Sequence, residues 1–208
     1  MNKRLFLASG SKSRRMLLTE AGYVFEVVEQ SADEQTCDWT LPLPQLTQAL
    51  AQCKMDHVML PAGNEGECCW VITADTLCCD MRGNYYGKPV DLSHAIKILQ
   101  AIKDGSLCGT GFCIERKIFH AGTWHIEKRL VGYAQTEIIF DIPLDEIEPY
   151  YRRLKELDGI DYRQVSGAFS VRGYGAQYVK ELRGSYTSVV GLPMYQVRCA
   201  LRELGFFD

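Results

Sequence analysis

The stretch of this sequence richest in chemistry is LFLASGSKSRRMLL, residues 5–18, where small hydroxyl residues are followed by paired arginines. The apolar run at residues 5–8 predicts a strand, and the apolar spacing that follows predicts a helix opening near Arg14. Such a junction presents backbone N–H groups, hydroxyl donors and guanidinium groups at a helix N-terminus, where they can bind a phosphate. An anion site is one interpretation. The other is that Ser13 only caps the helix, while Arg14 and Arg15 are solvated.

Two further stretches place charged groups where a ligand could meet them. The β-rich run WVITA at residues 70–74 predicts a central strand that delivers Asp75 and Thr76 at its carboxyl end. A carboxylate in that position commonly faces the ligand crevice of an open α/β sheet. In Gly87-Lys88-Pro89 the glycine allows close backbone approach and the proline fixes the exit, so Lys88 is held on a short loop and suits a phosphate.

The segments that would position these residues alternate between strand and helix, as in an α/β protein. Residues 43–60 have the apolar period of a helix, which places Lys54 at the boundary between its buried and exposed faces. Asp33 and Glu34 lie in the polar loop before this helix. Other predicted elements are strands at 23–29, 107–119 and 124–140, helices at 91–103, from 143 and at 193–204, a hairpin turn at 82–84 and a loop at 184–192. The two long strands alternate apolar and polar residues, which predicts an antiparallel ribbon with one solvated face.

Length and composition indicate a single soluble domain spanning residues 1–208. Hydrophobic residues make up 47% and charged residues 24% of the chain, enough for a well-buried core, and no linker-like stretch divides it. The net charge of -3 argues against nucleic acid as a partner, which would need a dominant basic face. The N-terminus lacks the apolar run of a signal peptide and no segment is long enough to span a membrane. A cytoplasmic location without a membrane partner is therefore expected.

The cysteines are numerous but not grouped like metal ligands. Nine are present, as single residues and as the adjacent pairs Cys68-Cys69 and Cys78-Cys79. Neighbouring residues on a strand point to opposite faces, so these pairs are poor chelating groups, and no CxxC motif accompanies them. We expect buried, reduced thiols rather than a structural zinc site.

Several short motifs occur along the chain, and their joint order and spacing are far more specific than any one of them. They are LASGS at 7–11 followed by Arg14 and Arg15, Asp33-Glu34, Lys54, Ala74-Asp75-Thr76, Gly87-Lys88-Pro89, Thr110-Gly111, TEIIF at 136–140, GYGA at 173–176 and VVGLP at 189–193. In this order they resemble the Maf family of nucleoside triphosphate pyrophosphatases over nearly the whole length of the chain.

The resemblance implies a fold and an activity. The fold would be α/β, a twisted mixed β-sheet flanked by helices with a deep cleft between two lobes, similar to that of inosine triphosphate pyrophosphatase. Family members hydrolyse the bond between the α- and β-phosphates of a nucleoside triphosphate, which gives a nucleoside monophosphate and pyrophosphate. They use a divalent cation and are often homodimers, so a nucleoside triphosphate substrate, a Mg²⁺ or Mn²⁺ ion and a homodimer are expected here.

The same resemblance implies functions for individual residues. Asp75 would orient or deprotonate the attacking water, with Glu34 and Lys88 as further catalytic residues. Glu34 and Asp75 are also hard oxygen ligands suited to Mg²⁺ or Mn²⁺. Taken alone, each cation of the set is better explained as a solvated surface charge, but its position in the family pattern favours the site. The residues expected to bind the substrate are Ser9, Ser11, Ser13, Arg14, Arg15, Lys54, Thr76 and Arg172.

Three positions depart from the family patterns and leave the nucleobase unassigned. Enzymes of the dTTP and UTP branch usually have SPRR in the first loop and a pattern like DKAGAYxIQG later in the chain. Here the loop is SKSRR and the later segment is QVSGAFSVRG, so Ser13 replaces an arginine, Val165 a lysine and Arg172 a glutamine. The branch acting on 7-methyl-GTP has SPWRR and an acidic residue at the position of Arg172. The spacing of the paired arginines fits that second branch, whereas Thr76 matches the first.

Two functions are consistent with this pattern. The first is an active pyrophosphatase that limits modified or surplus nucleotides, since the carboxylates and lysines of the phosphate and metal site are all present. The alternative is a catalytically idle nucleotide-binding or regulatory protein linked to cell division, as the three departing positions suggest. The first is favoured because the departing positions resemble residues that contact the base, whereas the retained ones resemble the phosphate and metal machinery.

Overall fold

Seven strands form one mixed β-sheet in the computed structural model, which describes residues 3–208. The strands are β1 (Arg4–Leu7), β2 (Glu26–Val27), β3 (Cys68–Asp80), β4 (Tyr85–Tyr86), β5 (Ser106–His120), β6 (Thr123–Phe140) and β7 (Val179–Gly184). Their order is β2-β1-β3-β5-β6-β7, with β4 paired to β3. Strand β1 pairs in parallel with β2 and β3, whereas the pairs β3–β4 and β6–β7 are antiparallel. The mixed sheet predicted from the sequence is confirmed.

Six α-helices accompany this sheet in the described part of the chain. They are α1 (Lys12–Glu20), α2 (Leu43–Asp56), α3 (Leu92–Ile102), α4 (Ile147–Asp158), α5 (Tyr186–Val190) and α6 (Met194–Glu203). The α/β class is thus confirmed as well. No helix within residues 3–208 is long and apolar enough to cross a membrane.

The chain divides into two compact units, which we describe separately. The first contains residues 3–75, 110–134 and 191–208. The second contains residues 76–109 and 135–190. The long strands β3, β5 and β6 contribute residues to both units.

In the first unit, helix α2 packs against one face of the sheet. Strands β1 and β3 are in register with Phe6 opposite Val71, and every second residue of β3 points to the same face. The buried cluster on this face consists of Phe6, Ala8, Ala51, Met55, Cys69, Val71 and Cys113. Removal of these side chains from water favours the docking of α2. The same alternation places Thr73 and Asp75 beneath this helix.

Helix α2 ends at Asp56, earlier than residue 60, the end that its apolar spacing predicts. The reason lies in the backbone, because Val58 forms an isolated antiparallel bridge with Gln30 instead of continuing the helix. The apolar side chains after the helix keep its spacing but belong to an extended segment. Strand β2 is likewise shorter than the predicted 23–29 and pairs with β1 at only two positions.

Strand β3 continues through Asp80, so Asp75 and Thr76 lie inside the strand and not at its end. The prediction that the strand stops before Asp75 is wrong, because Cys78 and Cys79 pair with the two tyrosines of β4 and prolong the ladder. That pairing confirms the hairpin predicted around residues 82–84.

In the second unit, two tyrosines of α4 fix the backbone that leads to Arg172. The hydroxyl of the buried Tyr150 accepts a hydrogen bond from the N–H of Ser170 at 2.9 Å. The hydroxyl of Tyr151 donates to the carbonyl oxygen of Ala168 at 3.0 Å. Buried phenols that bond to backbone groups hold an irregular segment in place, since an unpaired buried group would be costly.

Two predictions for the later part of the chain differ from the structure. The one solvated face predicted for both long strands agrees with residues 134–140 of β6, where burial alternates, but is wrong for β5, whose residues 108–115 are buried without interruption. Residues 184–192, predicted as a loop, contain the short helix α5. The N–H groups of Ser188 and Val189 both donate to the carbonyl oxygen of Ser185, at 3.1 and 3.4 Å, which closes the first turn of that helix.

Candidate active site

The first loop ends at helix α1, which begins at Lys12 and not near Arg14 as predicted. Ser11 caps the helix, because its hydroxyl accepts the N–H of Arg14 at 3.4 Å. The hydroxyl of Ser9 accepts the N–H of Ser11 at 3.2 Å. Ser13 lies inside the first turn, so the interpretation that Ser13 caps the helix is wrong. Two of the predicted phosphate-binding hydroxyl groups therefore accept backbone N–H groups, one from the loop and one from the first turn of α1.

Arg14 is held by two acceptors of its own unit. Its Nε donates to the carbonyl oxygen of Gly191 at 2.7 Å, and its Nη1 donates to Oγ of Ser9 at 3.1 Å. Burial lowers the pKa of Arg14, and the carboxylates of Asp75 and Glu34 oppose that shift. Because a guanidinium stays charged in proteins, Arg14 is a fixed positive charge near two carboxylates. No pattern in the sequence indicates its bond to Gly191, although that glycine belongs to one of the motifs of the resemblance.

The neighbouring residues of α1 are placed differently. Arg15 is exposed and Ser13 is half-buried, and both lie in the first turn of the helix. The two arginines, adjacent in sequence, thus differ in environment, since one is enclosed by protein acceptors and the other faces water. The sequence predicted the same function for both.

Lys54 lies between the two predicted carboxylates. Its Nζ is 3.0 Å from Oε1 of Glu34 and also donates to Oδ1 of Asp75. The side chains of Lys54 and Asp75 are each only 10% exposed, whereas the side chain of Glu34 is 43% exposed. Opposite charges with so little contact to water attract each other more strongly than charges on an open surface. The structure therefore brings these three predicted site residues together within the first unit.

Glu34 is delivered by a short 3₁₀ turn, Glu34–Thr36, in the stretch that the sequence predicts as a loop. Asp33 caps this turn by accepting a backbone N–H at 3.0 Å. The indole of Trp39 donates to the carbonyl oxygen of Glu34 at 3.1 Å. These two hydrogen bonds fix the backbone around Glu34, whereas its carboxylate is accessible to solvent.

Two thiols lie beside this group of charges, which the sequence did not reveal. Cys37 follows the turn and Cys53 precedes Lys54, and their side chains are hydrogen-bonded to each other. Burial raises the pKa of Cys37 to about 11, and the nearby Cys53, Glu34 and Asp75 act in the same direction. Cys37 is therefore a protonated thiol at neutral pH.

Thr76, Lys88 and Arg172, which the sequence also predicts as site residues, belong to the second unit. Lys88 is exposed on the segment after β4. The carbonyl oxygen of its neighbour Gly87 accepts the N–H of Gly167 at 3.1 Å, which ties this segment down. The convergence of these three residues with those of the first unit on one substrate stays a prediction.

The carboxylates of Glu34 and Asp75 are the residues that could hold a divalent cation. Within residues 3–208, no group of three or more His, Cys, Asp or Glu side chains is arranged to enclose a metal ion. Mg²⁺, however, is often held by one or two carboxylates together with waters and substrate phosphates. Two carboxylates that contact one lysine therefore fit a cation shared with a phosphate ligand, and not a cage built from protein alone.

Comparison with known proteins gives matches over almost the entire chain. The family model described as Maf-like protein matches residues 4–204. A "dTTP/UTP pyrophosphatase" of Clostridium kluyveri is 30% identical over 203 residues, 97% of this chain and 98% of the relative. Proteins of the same name from Caldicellulosiruptor bescii and Halalkalibacterium halodurans are 31% and 32% identical, over 98% of this chain and 96% and 97% of their own. The resemblance inferred from the motifs is confirmed, and the chain belongs to the Maf family.

Proposed function

We propose that this chain is a nucleoside triphosphate pyrophosphatase, which hydrolyses the α–β phosphoanhydride of its substrate to a nucleoside monophosphate and pyrophosphate. The observation that carries the proposal is the contact of Lys54 with both Glu34 and Asp75, with the half-buried Arg14 near the same carboxylates. Hydrolysis of this bond needs positive charge for the phosphates and a carboxylate for the water, and the group supplies both. Membership of a family whose curated relatives are named pyrophosphatases supports it.

We propose Asp75 as the general base. In the reaction the oxygen of a water molecule bonds to one phosphorus of the bridge, and the bond from that phosphorus to the bridging oxygen breaks. A carboxylate beside the water accepts the proton that the water loses. Lys54, in contact with Asp75, orients the carboxylate and adds positive charge where negative charge develops on the phosphates.

A divalent cation fits this mechanism. When bound, Mg²⁺ or Mn²⁺ supplies charge neutralisation at the phosphate oxygens. Glu34 and Asp75 would hold it, with waters and substrate phosphates as the remaining ligands. The exposed side chain of Glu34 suits this function, because a ligand to a shared cation must be reachable from solvent.

The first loop is proposed as the phosphate-binding element. Ser9 and Ser11 each accept a backbone N–H, and a hydroxyl that accepts still has one proton to donate. Arg14 organises the loop through Ser9 and adds charge, whereas the exposed Arg15 is available to a phosphate arriving from solvent. The contributions expected of Thr76, Lys88 and Arg172, and the homodimer, stay predictions.

For the base, we propose that dTTP and UTP are the first substrates to test. The curated relatives carry those nucleotides in their names, and Thr76 matches the corresponding branch. Ser13, Val165 and Arg172 depart from that branch, so 7-methyl-GTP and the purine nucleotides belong in the same comparison. Arg172 could donate to carbonyl oxygens of a base, which favours bases rich in acceptors.

The proposed activity is tested by release of pyrophosphate from this panel of nucleotides with Mg²⁺ or Mn²⁺. We expect Asp75→Asn to lower turnover by about 100-fold or more while nucleotide binding persists, because the amide cannot accept the proton. Asp80→Asn is the comparison for loss of a buried carboxylate, since Asp80 is also on β3 and also 7% exposed. Because Asp80 accepts hydrogen bonds from Arg82, Asn84 and Tyr86, we expect this variant to lose thermal stability while the folded protein keeps its turnover.

The possible outcomes distinguish an active pyrophosphatase from a catalytically idle nucleotide-binding protein. Absence of turnover by the wild type with every nucleotide would contradict the proposed activity. Binding of nucleotides without hydrolysis would instead support the idle nucleotide-binding protein. Undiminished turnover by Asp75→Asn would remove Asp75 from the mechanism.

A further inference from the structure

Helix α2, which carries Lys54, contacts the sheet at points about one helical turn apart. The first is at Gly111 of β5, where an added Cβ would lie 2.4 Å from the backbone carbon of Thr47 and 2.5 Å from the nitrogen of Gln48. The helix backbone therefore rests directly on the strand at this point. Such close approach is open only to glycine.

The next contact along the helix is a buried hydrogen bond. Oγ1 of Thr73, on β3, donates to the carbonyl oxygen of Ala51 at 2.7 Å, and Thr73 is 0% exposed. The carbonyl of Ala51 lies in the interior of α2, where the N–H four residues later is its regular helical partner. The threonine hydroxyl is thus an additional donor that joins strand to helix, not one needed to complete the helix.

The last contact is the ion pair itself. Lys54 is three residues after Ala51, and Asp75 is two residues after Thr73, so both pairs lie on the facing sides of α2 and β3. A shift or rotation of the helix that breaks the bond at Thr73 also moves the base of the Lys54 side chain relative to Asp75.

We propose that Thr73 is a positioning residue, whose hydroxyl sets helix α2 on strand β3 so that Lys54 meets Asp75. The effect of Thr73 on turnover rests on the function proposed above. Removal of the hydroxyl leaves the apolar cluster under α2 intact. The helix therefore stays packed on the sheet but can shift or rotate relative to β3. A displacement of this kind lowers kcat more than it raises KM, because the chemistry depends more strongly on geometry than binding does.

The test compares three variants with the wild type. Thr73→Val removes the hydroxyl at nearly constant volume, and Thr73→Ser restores it without the methyl group. Thr47→Val is the matched control, because Thr47 is also 0% exposed on α2 but its Oγ1 donates within the helix, to the carbonyl oxygen of Leu43 at 2.9 Å. Crystal structures and steady-state kinetics of all four proteins are measured.

We expect kcat of Thr73→Val to fall about tenfold with little change in KM, and its structure to show a changed Lys54–Asp75 contact. Thr73→Ser and Thr47→Val are expected to stay within about twofold of the wild type, whatever their thermal stability. Wild-type kcat in Thr73→Val, or an equal loss in Thr73→Ser, overturns the proposal. If the wild type itself has no turnover, the function proposed above fails, and the crystal structures alone decide the positioning: an unchanged Lys54–Asp75 contact in Thr73→Val overturns it.

Discussion

At the scale of single residues, the notable feature is a lysine that contacts two carboxylates while almost out of contact with water. Lys54 is 8% exposed, which is unusual for a lysine, and its partners Asp75 and Glu34 come from a strand and a short turn. Charges that are this enclosed need partners, since an uncompensated charge away from water is costly. Lys54 thus compensates both carboxylates, and in the proposed function all three groups would contact one ligand.

Lys54→Met tests the contribution of this contact to stability. We expect the free energy of unfolding to fall by about 3 kcal/mol, because removal of one partner leaves Asp75 enclosed without its counter-charge. Chemical denaturation with urea measures the change. Lys54→Arg keeps the charge and is expected to lose less. A Lys54→Met protein as stable as the wild type would show that the contact adds nothing to stability.

At the scale of elements, helix α2 is the part of the molecule that places the lysine. The apolar cluster under α2, the close backbone contact at Gly111 and the hydrogen bond from Thr73 all fix the position of this helix on the sheet. The apolar period of residues 43–60 predicted this helix, but it placed Lys54 at the boundary between the buried and exposed faces, whereas Lys54 is buried. It could not predict where the helix ends, because Val58 keeps the apolar spacing while its backbone pairs with Gln30.

Gly111→Ala tests the close packing of α2 on β5. A methyl group there would lie 2.4 Å from backbone, which side-chain rotation cannot relieve, so we expect a loss of about 2 to 3 kcal/mol in the free energy of unfolding. Gly87→Ala is the control, because an added Cβ at Gly87 would meet nothing within 4 Å. Equal stability of the two variants in urea denaturation would contradict the packing described for α2.

The positions of the strands and helices also explain why part of the candidate site cannot be predicted from the sequence. The apolar run WVITA correctly indicates a buried strand, yet Asp75 lies inside β3 because pairing with β4 extends the ladder past it. The bond from Arg14 to the carbonyl oxygen of Gly191 joins residues far apart in the chain and involves a backbone atom, which leaves no trace in residue types. The positioning function of Thr73 likewise cannot be predicted from the sequence, because a threonine in a β-rich run is ordinary strand composition.

At the scale of the whole molecule, the order and spacing of the motifs are enough to identify the family, and the comparisons with known proteins confirm it. The α/β class and the mixed sheet are also predictable from the sequence, because long periodic segments predict element type well. The base preference is not, because Ser13, Val165 and Arg172 depart from the known patterns in different directions. The charged residues of the motifs that resemble the family are present in the sequence, so the reaction can be proposed from the sequence, whereas the nucleobase cannot.

The central claim, cleavage between the α- and β-phosphates, is tested most directly by the identity of the products. Phosphorus NMR of a reaction mixture with the best substrate of the panel distinguishes pyrophosphate from orthophosphate. We predict a nucleoside monophosphate and pyrophosphate in equal amounts, with no nucleoside diphosphate at any time. Accumulation of a nucleoside diphosphate with orthophosphate would contradict the claim, as would an unchanged substrate.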